Sequence, residues 1–183
     1  MTRRALLALL CALGVACGGG GGGGSPVEPT PTPNPTPTPS QPSIVFTPQG
    51  GGSPGISLAV GAGTTATTLI LEVRANQVSD LYGVAFDLSY PSNLLQHVRS
   101  TQGPMLPGGS FQGSVTPGNL VIGLSRLGAV PGVNGSGVLM TFEFRATGAG
   151  QGALTFSRNV AANSGGTAIS GLSWAAGTVR VTL

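Results

Sequence analysis

From Ser43 onward no stretch of this sequence keeps an apolar period of 3.6 residues long enough to build a helix. Its apolar runs are short, rich in β-branched residues and cut by Gly, Pro, Asn or Ser. Such runs bury themselves as strands, so the chain is expected to be all-β. Candidate strands lie at 44–47, 56–60, 66–76, 82–90, 94–101, 111–115, 119–125, 137–146, 152–158 and 177–183. The run at 82–90 is the most explicit. Val84, Phe86, Leu88 and Tyr90 alternate with Ala85, Asp87 and Ser89, so one face is large and apolar and the other small and polar, the mark of a strand buried on one side. Pro91-Ser92-Asn93 ends the pairing and Leu94-Leu95 returns the chain to the core.

Two further strands show the same alternation. Leu69, Leu71, Val73 and Ala75 form one inward set, and Val138, Met140, Phe142, Phe144 and Ala146 another. Glu72 with Arg74, and Glu143 with Arg145, stand on the outward side as solvated pairs worth little energy. This many short strands with Gly/Pro turns fit an antiparallel two-sheet sandwich whose inner faces supply the core.

The N-terminal quarter has a different character. Arg3-Arg4 followed by the apolar run Ala5 to Ala16 is the charged and apolar pair of regions of an export signal, and that run is too short to span a bilayer. The sequence Leu13-Gly14-Val15-Ala16-Cys17 resembles the lipobox of bacterial lipoproteins, in which small residues precede an acylated cysteine; Gly14 stands where that motif prefers Leu. The resemblance implies a signal peptide at 1–16, lipid on Cys17, and an exported chain anchored to a bacterial membrane, at the outer membrane or cell surface. Seven glycines, Gly18 to Gly24, and the Thr-Pro alternation within Pro26 to Pro42 then form a linker over 17–43. Its polyproline part would hold the domain at 44–183 about 50 Å from the anchor.

Charge excludes some functions. The chain has no lysine, and once Arg3 and Arg4 are set aside six arginines face five acids. These arginines are scattered, so no basic face marks a nucleic-acid reader. His97 is the one histidine, with neither a cysteine nucleophile beside it in the domain nor an Asp to orient it. The domain's carboxylates, Glu72, Asp80, Asp87 and Glu143, fall on separate strands or loops, whereas glycoside hydrolysis needs two in one cleft. There is no calcium loop, no Cys/His cluster and no glycine pair opening a helix, so neither a metal nor another cofactor is expected. Nothing in these residues assembles a catalytic site, so an enzyme is not expected.

The strand ending in Tyr90, its Pro/Ser/Asn turn and Leu pair, then Gly118-Asn119-Leu120-Val121-Ile122-Gly123 and Gly137-Val138-Leu139-Met140-Thr141-Phe142-Glu143-Phe144, together resemble a cohesin module from about Ile56 to Val181. The resemblance implies a nine-stranded jelly roll with its first and last strands adjacent. It also implies a non-catalytic module that holds a dockerin-type protein linked to polysaccharide degradation, with any calcium on the dockerin. On that architecture one sheet offers Ala85, Asp87, Ser89, Val121, Gly123 and Ser125 to the partner, with Arg126 and Leu127 at the rim. The chain departs from the family where it matters for contact: Gly83 and Ala85 replace the usual polar Asn and Asp, and Arg126 and Leu127 stand where the family carries an acid.

Two other readings compete. A polysaccharide-binding module would stack sugar rings on Trp174 or Tyr82. A structural adhesin or envelope lipoprotein would self-associate without either ligand. The anchor is tested independently of all three: Cys17→Ser is expected to move the protein from the detergent phase to the aqueous phase in a partitioning experiment.

Overall fold

The computed structural model describes residues 41–183; the signal peptide expected at 1–16, Cys17 and nearly all of the expected linker lie outside the described residues. Ten strands run in order: β1 (Ser43–Pro48), β2 (Gly55–Val60), β3 (Thr68–Ser89), β4 (Leu95–Gln102), β5 (Ser110–Thr116), β6 (Asn119–Ser125), β7 (Val133–Ala146), β8 (Gly150–Asn163), β9 (Ser173–Ala175) and β10 (Gly177–Thr182). The expected runs at 66–76 and 82–90 are thus a single 22-residue strand. The resemblance implies nine strands; the described residues form ten, including the three-residue β9, which lies parallel to β2.

β3 belongs to both layers of the sandwich. Its first half pairs with β2 and β7, giving the layer β9–β2–β3–β7–β4. Its second half pairs with β6 and β8, giving β5–β6–β3–β8, and the first residues of β8 continue through β10 to β1. First and last strands are neighbours, as expected. The transfer happens at Gln77 and Asp80, which take φ of 48° and 52° between register shifts. Left-handed backbone is unfavourable for residues with a Cβ, so polar partners must hold it. The Gln77 amide donates to the Ser136 hydroxyl at 2.8 Å and the Asp80 amide to Asn134 Oδ1 at 2.8 Å. The Asp80 carboxylate accepts from the Gly132 amide and the Ser164 hydroxyl, each at 2.9 Å. Asp80 therefore ties the bend in β3 to two other segments.

The core lies between the layers. Leu69, Leu71, Val73 and Ala75 are fully buried, as the alternation requires, and so are Met140, Phe142 and Phe144. Val138 and Ala146 are only half-buried. Val73 pairs with Met140 and Arg74 with Val138, so Leu139 is the extra residue of a bulge, and it is buried as completely as Met140. Phe86, on the second half of β3, meets Phe142 of the opposite layer edge-on at 6.5 Å and Phe156 at 5.2 Å. Trp174 closes this cluster, 5.9 Å from Phe86 and 5.3 Å from Phe156. Its strand can lie against β2 because Gly55 has no side chain: a Cβ there would come within 2.1 Å of Ser173 Oγ.

Glu72 and Arg74 pair at 2.6 Å, but Glu143 does not pair with Arg145. Its partner is Arg99, at 2.8 Å, which stands directly opposite on β4. Side chains facing each other across an antiparallel pair are closer than i, i+2 neighbours on one strand, which is why the cross-strand arginine wins. His97, on the same edge strand, is half-buried with its ring 5.7 Å from that of Phe144 and Nε2 2.9 Å from the Ser100 hydroxyl. Burial holds its pKa below the usual histidine value, outweighing a hydrogen bond at the Arg99 backbone that raises it. Because the two layers meet at Phe86, Phe86→Ala is expected to cost about 3 kcal/mol or more, read as a lowered midpoint in denaturant unfolding.

Candidate docking face

The layer β5–β6–β3–β8 brings the expected contact residues onto one outer surface, and its registers arrange them in rows. Gly83 lies between Ser125 and Ala162, Ala85 between Gly123 and Val160, Asp87 between Val121 and Ser157, and Ser89 between Asn119 and Thr155. β5 adds Ser110, Gln112, Ser114 and Thr116 alongside. The inward neighbours Val84, Phe86, Leu88, Leu120, Ile122 and Leu124 are buried, so the outward parity of this grid follows from the pleat. All six residues expected on the face are on it. The β8 column, Ser157, Val160 and Ala162, was not among them.

Small side chains leave the upper rows recessed. Gly83, Ala85, Gly123 and Ala162 floor a shallow, open depression walled by Gln112, Ser125, Val160 and Leu127. Val121 and Val160, on neighbouring rows, and Leu127 at the rim are 42%, 45% and 62% exposed, so three aliphatic groups meet solvent on one face. Apart from one ion pair the four rows carry no charge.

That pair corrects the sequence reading. Asp87 was expected among the residues this face offers to a partner, yet it is 5% exposed. Ser157 pairs with Asp87 and Val160 with Ala85, so Arg158 and Asn159 together oppose Phe86 as a bulge, with Arg158 at a φ of 47°. The bulge re-aims Arg158 onto the outer face, where its guanidinium covers and pairs with the Asp87 carboxylate. Asn119 approaches the same carboxylate oxygen at 3.5 Å. The accessible charge in mid-face is thus a cation, since the Arg158 side chain is 74% exposed. Nothing in the local sequence marks a bulge at Arg158.

At the rim, Arg126 is half-buried. It donates through Nη1 to the Pro131 carbonyl, and its Nε is buried without a partner among the described residues. The Tyr82 hydroxyl donates to the Gly128 carbonyl at 2.6 Å, so Tyr82 and Arg126 both fasten the loop after β6. Leu127, between them, projects outward. Tyr82 is therefore tied to a loop and Trp174 is packed on Phe86 and Phe156, which takes ring surface away from sugar stacking.

Each of the four domain carboxylates is already engaged: Glu72 by Arg74, Asp80 by Gly132 and Ser164, Asp87 by Arg158 and Glu143 by Arg99. Among the described residues no three His, Cys, Asp or Glu side chains gather.

A family model described as "Cohesin domain" matches residues 58–181. The chain belongs to the cohesin family. Solved structures agree on the fold. A type II cohesin in a cohesin–X–dockerin complex from Acetivibrio cellulolyticus is 18% identical, with 67% of this chain and 95% of that one covered at a TM-score of 0.58. The second type II cohesin of the ScaA scaffoldin of the same organism is 17% identical, covering 77% and 97% at 0.56. A non-cellulosomal cohesin from the archaeon Archaeoglobus fulgidus is 18% identical, covering 74% and 88% at 0.54. A search of curated proteins finds no match.

Removing Arg158 takes away both the cation and the cover of the Asp87 carboxylate, which solvent then reaches. Arg158→Ala is expected to destabilise the fold by about 1 kcal/mol or less, and adding Asp87→Ser to it should cost little more in chemical denaturation.

Proposed function

We propose that this protein is a non-catalytic cell-surface binding module that docks a dockerin-type protein, linked to polysaccharide degradation, on the outer face of β5–β6–β3–β8. The single observation that carries this reading is the composition of that face: small and nearly uncharged, with Val121, Val160 and Leu127 exposed among short neutral side chains on a rigid sheet. A plain solvated sheet face carries longer and more charged side chains, and depletion of charge is what marks the centre of an interface. Family membership agrees, and a related module has been solved in complex with a dockerin-containing partner.

The departures from the family suggest how such a partner is held here. Gly83 and Ala85 offer no side-chain hydrogen bonds, and the Asp87 carboxylate lies under Arg158. Recognition would then rest on close approach of an apolar surface to the depression, with Arg158 as the accessible polar group. The export signal, lipid at Cys17 and Pro/Thr spacer complete the proposal by placing the domain away from a bacterial membrane, at the outer membrane or cell surface. The engagement of all four carboxylates supports a role without catalysis.

The test is capture from the organism's own secreted proteins, followed by affinity measurement on the captured partner. Ala85→Arg and Gly123→Arg are expected to abolish capture while leaving the unfolding midpoint close to wild type. A Cβ at Gly123 meets nothing nearer than the Gln112 carbonyl at 3.9 Å, so the fold accepts the side chain while the partner does not. Wild-type affinity in both variants would place the interface elsewhere, at the loops 102–110 or 126–136.

A further inference from the structure

A sheet edge exposes unpaired backbone N–H and C=O groups, and proteins guard such edges with charge, proline, bulges or short length. Three of the four edges here are guarded. β9 has three residues, β4 carries Arg99 and a register shift beside it, and β1 follows Pro42 and ends in Pro48. β5 has none of these devices within its seven residues; Pro117 lies just past its end, in the turn to β6. Ser110–Thr116 pairs with β6 in seven unbroken steps, contains neither charge nor proline, and among the described residues is paired on one side only. The neutral stretch around it is long, with no charged residue from Ser100 to Ser125.

The sequence of this edge matches itself. With Gly113 placed on a two-fold axis, an antiparallel copy sets Phe111 opposite Val115, Gln112 opposite Ser114 and Ser110 opposite Thr116. Every pair is of one kind, apolar with apolar or neutral polar with neutral polar. Phe111 and Val115 share the inward parity, opposite Leu124 and Leu120, while Gln112 and Ser114 share the outward one. Val115 is left 50% exposed in the single chain although it points to the core side of the sheet, and a second copy's Phe111 would cover it. The Phe111 ring already lies along the strand over Gly113, where an added Cβ would come within 2.9 Å of it, so glycine keeps the axis position flat.

We infer that β5 is a self-association edge, and that two copies of this chain pair antiparallel through it to form one continuous sheet. The self-matched order of the strand selects a copy as the occupant: antiparallel pairing about Gly113 sets like against like, and no charge on the strand opposes it. The contact is isologous and uses up both edges, so it stops at a dimer. Paired residues share a face, so the two docking faces lie side by side on one surface. This inference needs no dockerin-type partner and stands or falls separately from the proposed docking.

The test is analytical ultracentrifugation of the full chain carrying Cys17→Ser, which keeps lipid out of the measurement, from micromolar to millimolar concentration. The wild-type edge is expected to shift from monomer to dimer. Gln112→Lys with Ser114→Lys places like charges opposite each other twice across the axis and should weaken the dimer at least about tenfold. Both side chains are exposed, so the unfolding midpoint should stay near wild type, confirming an intact fold. Mixing that variant with Gln112→Glu/Ser114→Glu should restore a mixed dimer. A wild-type edge that stays monomeric throughout, a lysine variant that dimerises unchanged, or growth beyond a dimer would overturn the inference.

Discussion

The bend in β3 is the constraint on which the rest depends. One strand supplies the central position in both layers, so the two sheets cannot slide or rotate independently, and the core is defined where its halves face each other's neighbours. The bend places Gln77 and Asp80 at positive φ; side chains of β7 accept from both amides, and the Gly132 amide just before β7 donates to the Asp80 carboxylate. Asp80 is the economical part of this arrangement: its amide and both carboxylate oxygens each take a partner from a different residue. Satisfying the backbone groups that a bulge frees is what lets a continuous strand change sheets without leaving orphaned donors in a tight corner.

A second bulge has the opposite consequence, acting on the surface instead of the core. At Arg158 the extra residue in β8 lets a cation reach across to Asp87, so a carboxylate in the middle of the outer face is neutralised and covered. The face then presents small aliphatic and neutral polar groups with one guanidinium. This bears on how the family's architecture is used here. Under the proposed docking, the position of the face would come from the fold while its chemistry would come from Gly83, Ala85 and Arg158. Fold is set by the inward residues of β3, β6 and β7, and contact chemistry by the outward ones, so the two can vary separately.

Much of the fold was legible because strand alternation is local. Burial of Leu69, Leu71, Val73, Phe86 and Leu88 follows from period 2 alone, as does the outward position of Ala85, Val121 and Gly123. Errors arose where local periodicity is interrupted by something distant. Leu139 is buried at a bulge that depends on β3, and Glu143 chose Arg99 because β4 lies beside it. Strand β9 was invisible: three residues carry no readable period, and Trp174 is placed by packing against Phe86 and Phe156. The outward columns on β6 and β3 were legible from parity, whereas Val160 and Ala162 on β8 were not, because the bulge at Arg158 shifts the register within that strand.

The sequence by itself determined the all-β class, the inward and outward faces of the main strands, and the family, since these depend on residue alternation and on the order of blocks along the chain. Tertiary structure decided that two runs are one strand, that Asp87 is covered and Arg158 exposed, and that β5 is left as an unguarded edge. The physical reason is common to all three. Each depends on which strands become neighbours, and hydrogen-bonded neighbours in this sandwich come from segments far apart in the chain, such as β3 with β8 and β1 with β10.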